Sequence, residues 1–277
     1  MSLGFMKKLI VVDIDGTLVN DEKKITPKTR DALISAIKAG HEVMIASGRP
    51  SHGIRAEAEI LGFDKFGGLL SAYNGGEIYD FKNKKVLASH PIAYELAKEI
   101  CDFAKNLDLV LMIPKDNYIL AKNPDNYYVQ REARVCGMDI KVVDDLGLSL
   151  DFSPNKLLFA QDPERIDQPA RMLFEKFGDR TAQVKSTRFF YEIMPLGLSK
   201  GSSILEACNI FGIDKEDVIV FGDEMNDMSM FEVAGTGVAM GNAVDPIKKL
   251  AAYVTKSNNE DGIAFYLENF LLNKENK

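Results

Sequence analysis

The sequence predicts an α/β protein built on a doubly wound parallel sheet, with a second, α+β domain inserted into it. Three observations support that class. Near both ends of the chain, short runs of aliphatic and β-branched residues alternate with helical patterns, the pattern expected of parallel strands joined by crossover helices. In the middle the alternation breaks, and two strand patterns follow one another across a short turn. The 277 residues also exceed one ordinary domain and suffice for two with cores of their own.

The first strand is Leu9-Ile10-Val11-Val12, an apolar run stopped by Asp13. A helix over 26–39 follows, opened by Pro27 and carrying Ala32, Leu33, Ala36 and Ile37 on one face. Gly40 ends it, and 42–46 reads as a second buried strand leading into Ser47-Gly48-Arg49-Pro50 and a helix reaching Leu61. The third strand, 69–73, stops at Asn74-Gly75-Gly76. The alternation resumes with a helix over 199–211, a strand at 217–221, a helix at 226–234 and a strand at 237–240. A helix from Pro246, a strand at 253–255 and a last helix over 262–272 complete it.

Between these stretches lie an amphipathic helix at 93–105 and strands at 109–113 and 118–121, joined as an antiparallel hairpin across Pro114-Lys115-Asp116-Asn117. A helix at 127–136, a strand at 156–160, a helix at 167–177 and strands at 182–186 and 189–193 follow. The expected division is therefore a core domain of 1–83 and 192–277, with an inserted domain of 84–191 capping the strand ends.

Composition excludes several functions. With 34 basic and 41 acidic side chains the net charge is −7, so neither nucleic acid nor an anionic membrane is an expected partner. The apolar run after Lys8 is far shorter than a signal peptide or membrane span, and residues 1–5 are set aside as a cloning addition or variable leader. Cys101, Cys136 and Cys208 are odd in number and widely spaced, which points to reduced core thiols in the cytoplasm. His41, His52 and His90 lack zinc-ligand spacing, so a metal is expected on oxygen. Gly235-x-Gly237 lacks the spacing of a dinucleotide loop, and there is no phosphate-binding P-loop. The aromatic groups at 127–128 and 189–191 are read as core packing.

The chemistry concentrates in Asp13-Ile14-Asp15-Gly16-Thr17-Leu18, directly after the first strand. Ligands bind at strand ends in open α/β sheets. One carboxylate there can attack an electrophile while holding a hard cation, and a second two residues on can give and take a proton. Asp-Gly is also a common turn pair, so the bare pattern leaves a polar turn open. Ser47 and Gly48 follow the second strand, where a hydroxyl and an N–H can hold a phosphoryl oxygen. Lys200 stands at the start of a helix, where a lone lysine is usually a solvated surface charge. The strand at 217–221 ends in Gly222-Asp223-Glu224-Met225-Asn226-Asp227, an acidic cluster that is costly unless a cation compensates it.

Taken in order, these four stretches resemble the motifs of the haloacid dehalogenase-like (HAD) phosphatases. Val238-Ala239-Met240-Gly241-Asn242-Ala243, Ser257-Asn258-Asn259-Glu260-Asp261-Gly262 and Tyr73-Asn74-Gly75-Gly76 are similar to sequences of their Cof-type subfamily. The resemblance implies a Rossmann-like core with a large α/β cap, and covers the cap by size and coarse pattern. It implies Asp13 as nucleophile and magnesium ligand, and Asp15 as general acid and base whose backbone carbonyl also meets the metal. Ser47, Gly48, Lys200 and Asn226 would bind the phosphate, Asp223 would complete the magnesium site, and Asp227 would orient Lys200 or a metal-bound water. The substrate implied is a small phosphorylated metabolite. A phosphomutase or phosphotransferase with the same core, and a non-catalytic metabolite-binding member, stand as alternatives.

Overall fold

The computed structural model describes residues 6–273; the N-terminal residues set aside above lie outside the described residues. The chain divides into two compact units. The first holds the chain up to Gly48, Ile54–Leu87 and the chain from Ser199, and the second holds Arg49–Gly53 and Ala88–Leu198.

In chain order the strands are β1 (Leu9–Val12), β2 (Glu42–Ala46), β3 (Leu69–Ala72), β4 (Glu77–Asp80) and β5 (Lys85–Ser89). Then come β6 (Val110–Lys115), β7 (Tyr118–Ala121), β8 (Asp139–Val142), β9 (Leu157–Ala160), β10 (Thr181–Lys185) and β11 (Phe190–Pro195). The last three are β12 (Val218–Gly222), β13 (Thr236–Ala239) and β14 (Tyr253–Val254).

The first unit is built on one sheet of order β14-β13-β12-β1-β2-β3-β4-β5. From β14 to β3 every pairing is parallel, and β4 joins β3 antiparallel. All four residues of β1 are fully buried, so both faces of the sheet centre must be covered, as a doubly wound sheet requires. Helices Pro27–Lys38, Gly262–Tyr266 and the π-helical turn Leu267–Leu272 pack together, as do Lys200–Phe211 and Met228–Val233. The helix at Pro27–Lys38 starts where Thr26 accepts the Thr29 N–H on its hydroxyl and Pro27 fills the first turn.

The second unit carries a sheet of order β10-β11-β9-β6-β7-β8. Its pairings are antiparallel except for β7 with β8. Strand alternation sends Leu157 and Phe159 of β9 into a cluster with Ile100, Leu173, Phe177 and Ile193. Leu158 and Ala160 enter a second cluster with Met112, Val129 and Phe190 on the opposite face. Tyr128 stacks on Phe189 at 5.6 Å between ring centroids and Phe190 and Tyr191 are buried, as expected of core packing, whereas Tyr127 is 70 % exposed and stands outside it.

Several expectations shift. The β4–β5 extension of the first sheet escaped the pattern because β5 has no buried residue to mark an apolar face. It moves the first boundary from 83/84 to 87/88. The second boundary, drawn at 191/192, would cut β11, whose whole length belongs to the second sheet, and falls instead at Leu198. Pro114, assigned to the hairpin turn, lies inside β6 opposite Ile119, and the turn is made by Asp116 in a left-handed conformation (φ 50°) with Asn117. β8 was missed because its sequence, Asp139-Ile140-Lys141-Val142, is half charged and largely exposed.

Phe159→Ala removes a fully buried ring from the second unit's core. It is expected to cost about 3–5 kcal/mol, read as a lower urea midpoint for the transition that exposes that unit.

Candidate active site

The parallel register brings the functional residues together before any side chain is considered. Val12 pairs with Phe221 on one side and with Ile45 on the other. The residues just past those strand ends are Asp13, Asp223 and Ser47, and the ladder continues into them through Asp13 N–H to the Phe221 carbonyl (3.1 Å) and Ser47 N–H to the Ser71 carbonyl (2.9 Å). The strands thus present two carboxylates and a hydroxyl along one edge of the first unit.

Lys200 arrives from a different element. Ser199 caps the helix Lys200–Phe211 through a capping box with Ser202, which fixes Lys200 as its first residue. Gly201 lets that helix come close: a Cβ there would collide with the backbone carbonyl of Ser229, whose hydroxyl instead accepts the Gly201 N–H at 3.1 Å. Lys200 is 1 % exposed, and its ammonium donates to Asp13 Oδ1 at 2.5 Å and Asp227 Oδ1 at 2.6 Å. The second oxygen of Asp227 accepts the N–H groups of Asp223 (2.9 Å) and Glu224 (3.1 Å). Both oxygens of Asp227 are therefore engaged, which suits it to orienting Lys200 rather than to ligating a metal.

Asp223 is fixed by the Thr17 hydroxyl, which donates to Oδ1 at 2.6 Å. Gly16 turns with φ +82°, and a side chain there would meet the Asp223 carboxylate. Gly222 faces Asp227 in the same way, 2.8 Å from where its Cβ would stand.

One ammonium faces three carboxylates, since ligand oxygens of Asp13, Asp223 and Asp227 lie within 4.8 Å of one another. Burial pushes Asp13 up to about 7, with Lys200 opposing the rise and Asp227 and Asp223 adding to it. Asp223 is pushed up to about 6, again chiefly by burial and against the Thr17 hydrogen bond. Burial works against the charge on Lys200, yet Asp13 and Asp227 more than offset it and hold the ammonium firmly protonated. Buried oxygen ligands with more negative than positive charge fit a hard divalent cation such as magnesium. Asp13 and Asp223 would hold it.

The other expected residues stand as follows. Ser47 is buried and Gly48 lies against Asn74, whose amide atoms would be 3.1 and 3.2 Å from a Cβ on that glycine. Asn226 is exposed, in a 3₁₀ turn at Met225–Asp227. The side chain of Asp15 lies outside the buried acidic cluster: it is half exposed, and Lys23 Nζ pairs with its Oδ1 at 2.8 Å.

Two contributors carried no assigned role in the sequence. Thr17 sits in the D-x-D-G-T stretch, and only its distance to Asp223 reveals what it does. Asn74 stands in a run of three left-handed residues, Tyr73 (φ 54°), Asn74 (φ 55°) and Gly75 (φ 97°). Such conformations are costly away from glycine, and here they turn the chain after β3 so that Asn74 meets Gly48. The signal available was the Asn-Gly-Gly sequence itself.

The chain matches the family model of haloacid dehalogenase-like hydrolases over residues 10–267. It is 30% identical to a 5-amino-6-(5-phospho-D-ribitylamino)uracil phosphatase, YwtE, of Bacillus subtilis, over 95% of this chain and 98% of that protein. It is 26% identical to a pyridoxal phosphate phosphatase, YbhA, of Escherichia coli, over 96% of this chain and 99% of that one. Among solved structures, a haloacid dehalogenase-like hydrolase from Bacteroides thetaiotaomicron superposes with a TM-score of 0.91 at 34% identity, covering 96% of this chain and all of that one. The chain therefore belongs to the haloacid dehalogenase-like hydrolase family, as an enzyme of its phosphatase branch.

Proposed function

We propose that the protein is a magnesium-dependent phosphatase of small phosphorylated metabolites, sugar phosphates or similar monoesters, that works through an aspartyl-phosphate on Asp13. The observation that carries this reading is the sharing of the Lys200 ammonium between Asp13 and Asp227, with Asp223 beside them. A nucleophilic carboxylate and a phosphate dianion repel each other, and Lys200 offsets that repulsion from a fixed position.

In the first step the Asp13 carboxylate attacks phosphorus in line with the ester oxygen, and the bond from phosphorus to that oxygen breaks. Asp15 delivers its proton to the departing alkoxide. In the second step Asp15 takes a proton from water, whose oxygen attacks phosphorus, releasing inorganic phosphate and regenerating Asp13. The Ser47 hydroxyl, the Gly48 N–H and the Asn226 amide hold the phosphoryl oxygens. Asp13, Asp223 and the Asp15 carbonyl would hold a magnesium ion, which would supply positive charge to offset the repulsion between nucleophile and phosphate. The similar proteins named above act on the phosphates of a ribityl chain and of pyridoxal, and substrates of that size are proposed here. Three buried, unpaired cysteines fit a cytoplasmic enzyme. Among the described residues no helix is long and apolar enough to cross a membrane.

A phosphate-release screen over such monoesters should show turnover that needs magnesium and stops with a chelator. Asp13→Asn should lower kcat at least about 10³-fold, and undiminished turnover by that variant would overturn the nucleophile assignment. Lys200→Met should lower kcat by about 10²–10³.

Asp13 and Asp223, raised above the 3.8 of an unfolded carboxylate, bind more protons folded than unfolded. Their contribution to stability is therefore most favourable below about 4 and is lost as pH rises toward 7. Magnesium competes with those protons, so it should raise Tm more at pH 8 than at pH 5. A shift at pH 5 as large as that at pH 8 would remove both residues from the metal site.

A further inference from the structure

Two stretches, Val238-Ala239-Met240-Gly241-Asn242-Ala243 and Ser257-Asn258-Asn259-Glu260-Asp261-Gly262, find no place in the chemistry above. In the first unit both reach the loop of residues 14–26, which carries Asp15. Asn242 Nδ2 donates to the carbonyl of Gly16, the residue after Asp15, at 2.8 Å. Its Oδ1 accepts the backbone N–H of Asn258 at 3.0 Å, so the two stretches are also tied to each other.

Asn258 is the centre of this network, and it is only 6 % exposed. Its Nδ2 donates to the Val19 carbonyl (3.1 Å) and to Asp21 Oδ1 (3.2 Å). Asn259 adds a reciprocal pair, its Nδ2 donating to Asp21 Oδ2 (2.9 Å) and its Oδ1 accepting the Asp21 N–H (3.1 Å). At the far end of the loop the Thr26 hydroxyl donates to Asp261 Oδ1 at 2.5 Å. These bonds hold Asp21 below the usual carboxylate range, through Asn259 first and Asn258 second.

Within the loop, Asp15 and Val19 form an isolated parallel bridge, and the Val19 N–H also returns to the Ile14 carbonyl at 3.0 Å. The strand partner of Asp15 is thus the residue whose carbonyl Asn258 grips, and the residue following Asp15 is the one Asn242 grips. The asparagine contacts thus fall on the residue after Asp15, on its bridge partner Val19 and on Asp21 beyond it. Primary amides suit the task, because each can donate to a carbonyl and accept an N–H at once without adding charge beside an acidic site.

We propose that Asn242 and Asn258, with Asn259 as outer support, are positioning residues that set where Asp15 stands when it protonates the leaving group. This inference rests on the reading of Asp15 as the general acid. Holding an acid within hydrogen-bond reach of the leaving oxygen matters as much as its identity, since small displacements cost large factors in rate. The two stretches therefore serve the proton-transfer half of the reaction, and the nucleophile and its counter-charge are held by other elements.

Two esters of nearly equal shape but different leaving groups separate this role from a structural one. p-Nitrophenolate departs without a proton, whereas phenolate is the poorer leaving group and needs one. With magnesium present, kcat/KM for phenyl phosphate and p-nitrophenyl phosphate is measured for the unaltered enzyme and for Asp15→Asn, Asn242→Ala, Asn258→Ala and Asn259→Ala, with Tm recorded for each. Asp15→Asn should lower kcat/KM about 10²-fold or more on phenyl phosphate, and far less on the nitrophenyl ester. Asn242→Ala and Asn258→Ala should follow the same direction, with the phenyl ester losing at least about 10-fold more than the nitrophenyl ester, and Asn259→Ala should show a smaller bias of the same sign. Asn259 is exposed, so its variant keeps the test open if Asn258→Ala is too unstable to assay. If Asp15→Asn discriminates between the esters and the asparagine variants slow both alike or neither, the positioning inference is wrong and the acid assignment stands. If Asp15→Asn itself slows both esters alike, the acid assignment fails and the inference falls with it.

Discussion

The ammonium of Lys200, almost wholly out of solvent, is the interaction on which the rest of the site depends. Three carboxylates converge beside it, and burial pushes two of them, Asp13 and Asp223, toward protonation. Lys200 keeps part of that charge in place by donating to Asp13 and Asp227 at once. Removing one partner of such a buried pair costs about 3–5 kcal/mol, because the other is left uncompensated. The arrangement is consequently a poor way to gain stability and a good way to hold the Asp13 carboxylate in a fixed orientation. The surplus negative charge that Lys200 leaves unbalanced is what suits the remaining oxygens to a divalent cation.

Much of the surrounding fold can be understood as the means of delivering those groups. Parallel pairing with matched strand ends puts Asp13, Asp223 and Ser47 side by side. Helix capping at Ser199 fixes the residue that follows, and the bare Cα of Gly201 permits the close approach of two helices that places Lys200. Gly16 and Gly222 lie where any side chain would push Asp223 or Asp227 aside. The amide network of Asn242, Asn258 and Asn259 extends the same logic to the loop bearing Asp15, so that Asp13 and the Asp15 loop are held by separate parts of one unit.

The alternation of apolar runs with helical patterns made the doubly wound core legible, because β1 and β12 are buried on both faces and read as continuous aliphatic runs. Asp13, Lys200, Asp223 and Asp227 were legible for a related reason: charged residues directly after such runs, or at a helix start, have no packing explanation. Elements whose stability comes from edges and hydrogen bonds were not. β5 and β8 are short and expose most of their residues, and Pro114 could be placed in β6 only once its partner Ile119 was known. Thr17 and Asn74 act across 206 residues of sequence in one case and against a neighbouring strand end in the other. The half-exposed position of the Asp15 carboxylate, paired with Lys23, was not legible in the sequence.

The account turns on a covalent bond forming at one carboxylate. Its most direct test is to quench turnover in acid with a substrate labelled on phosphorus, digest the protein, and map the label. The account predicts acid-stable, hydroxylamine-sensitive label on the peptide carrying Asp13, appearing and decaying as fast as the enzyme turns over. Label on a different residue, or product formed in a full turnover with no protein-bound phosphate at any time, would contradict it.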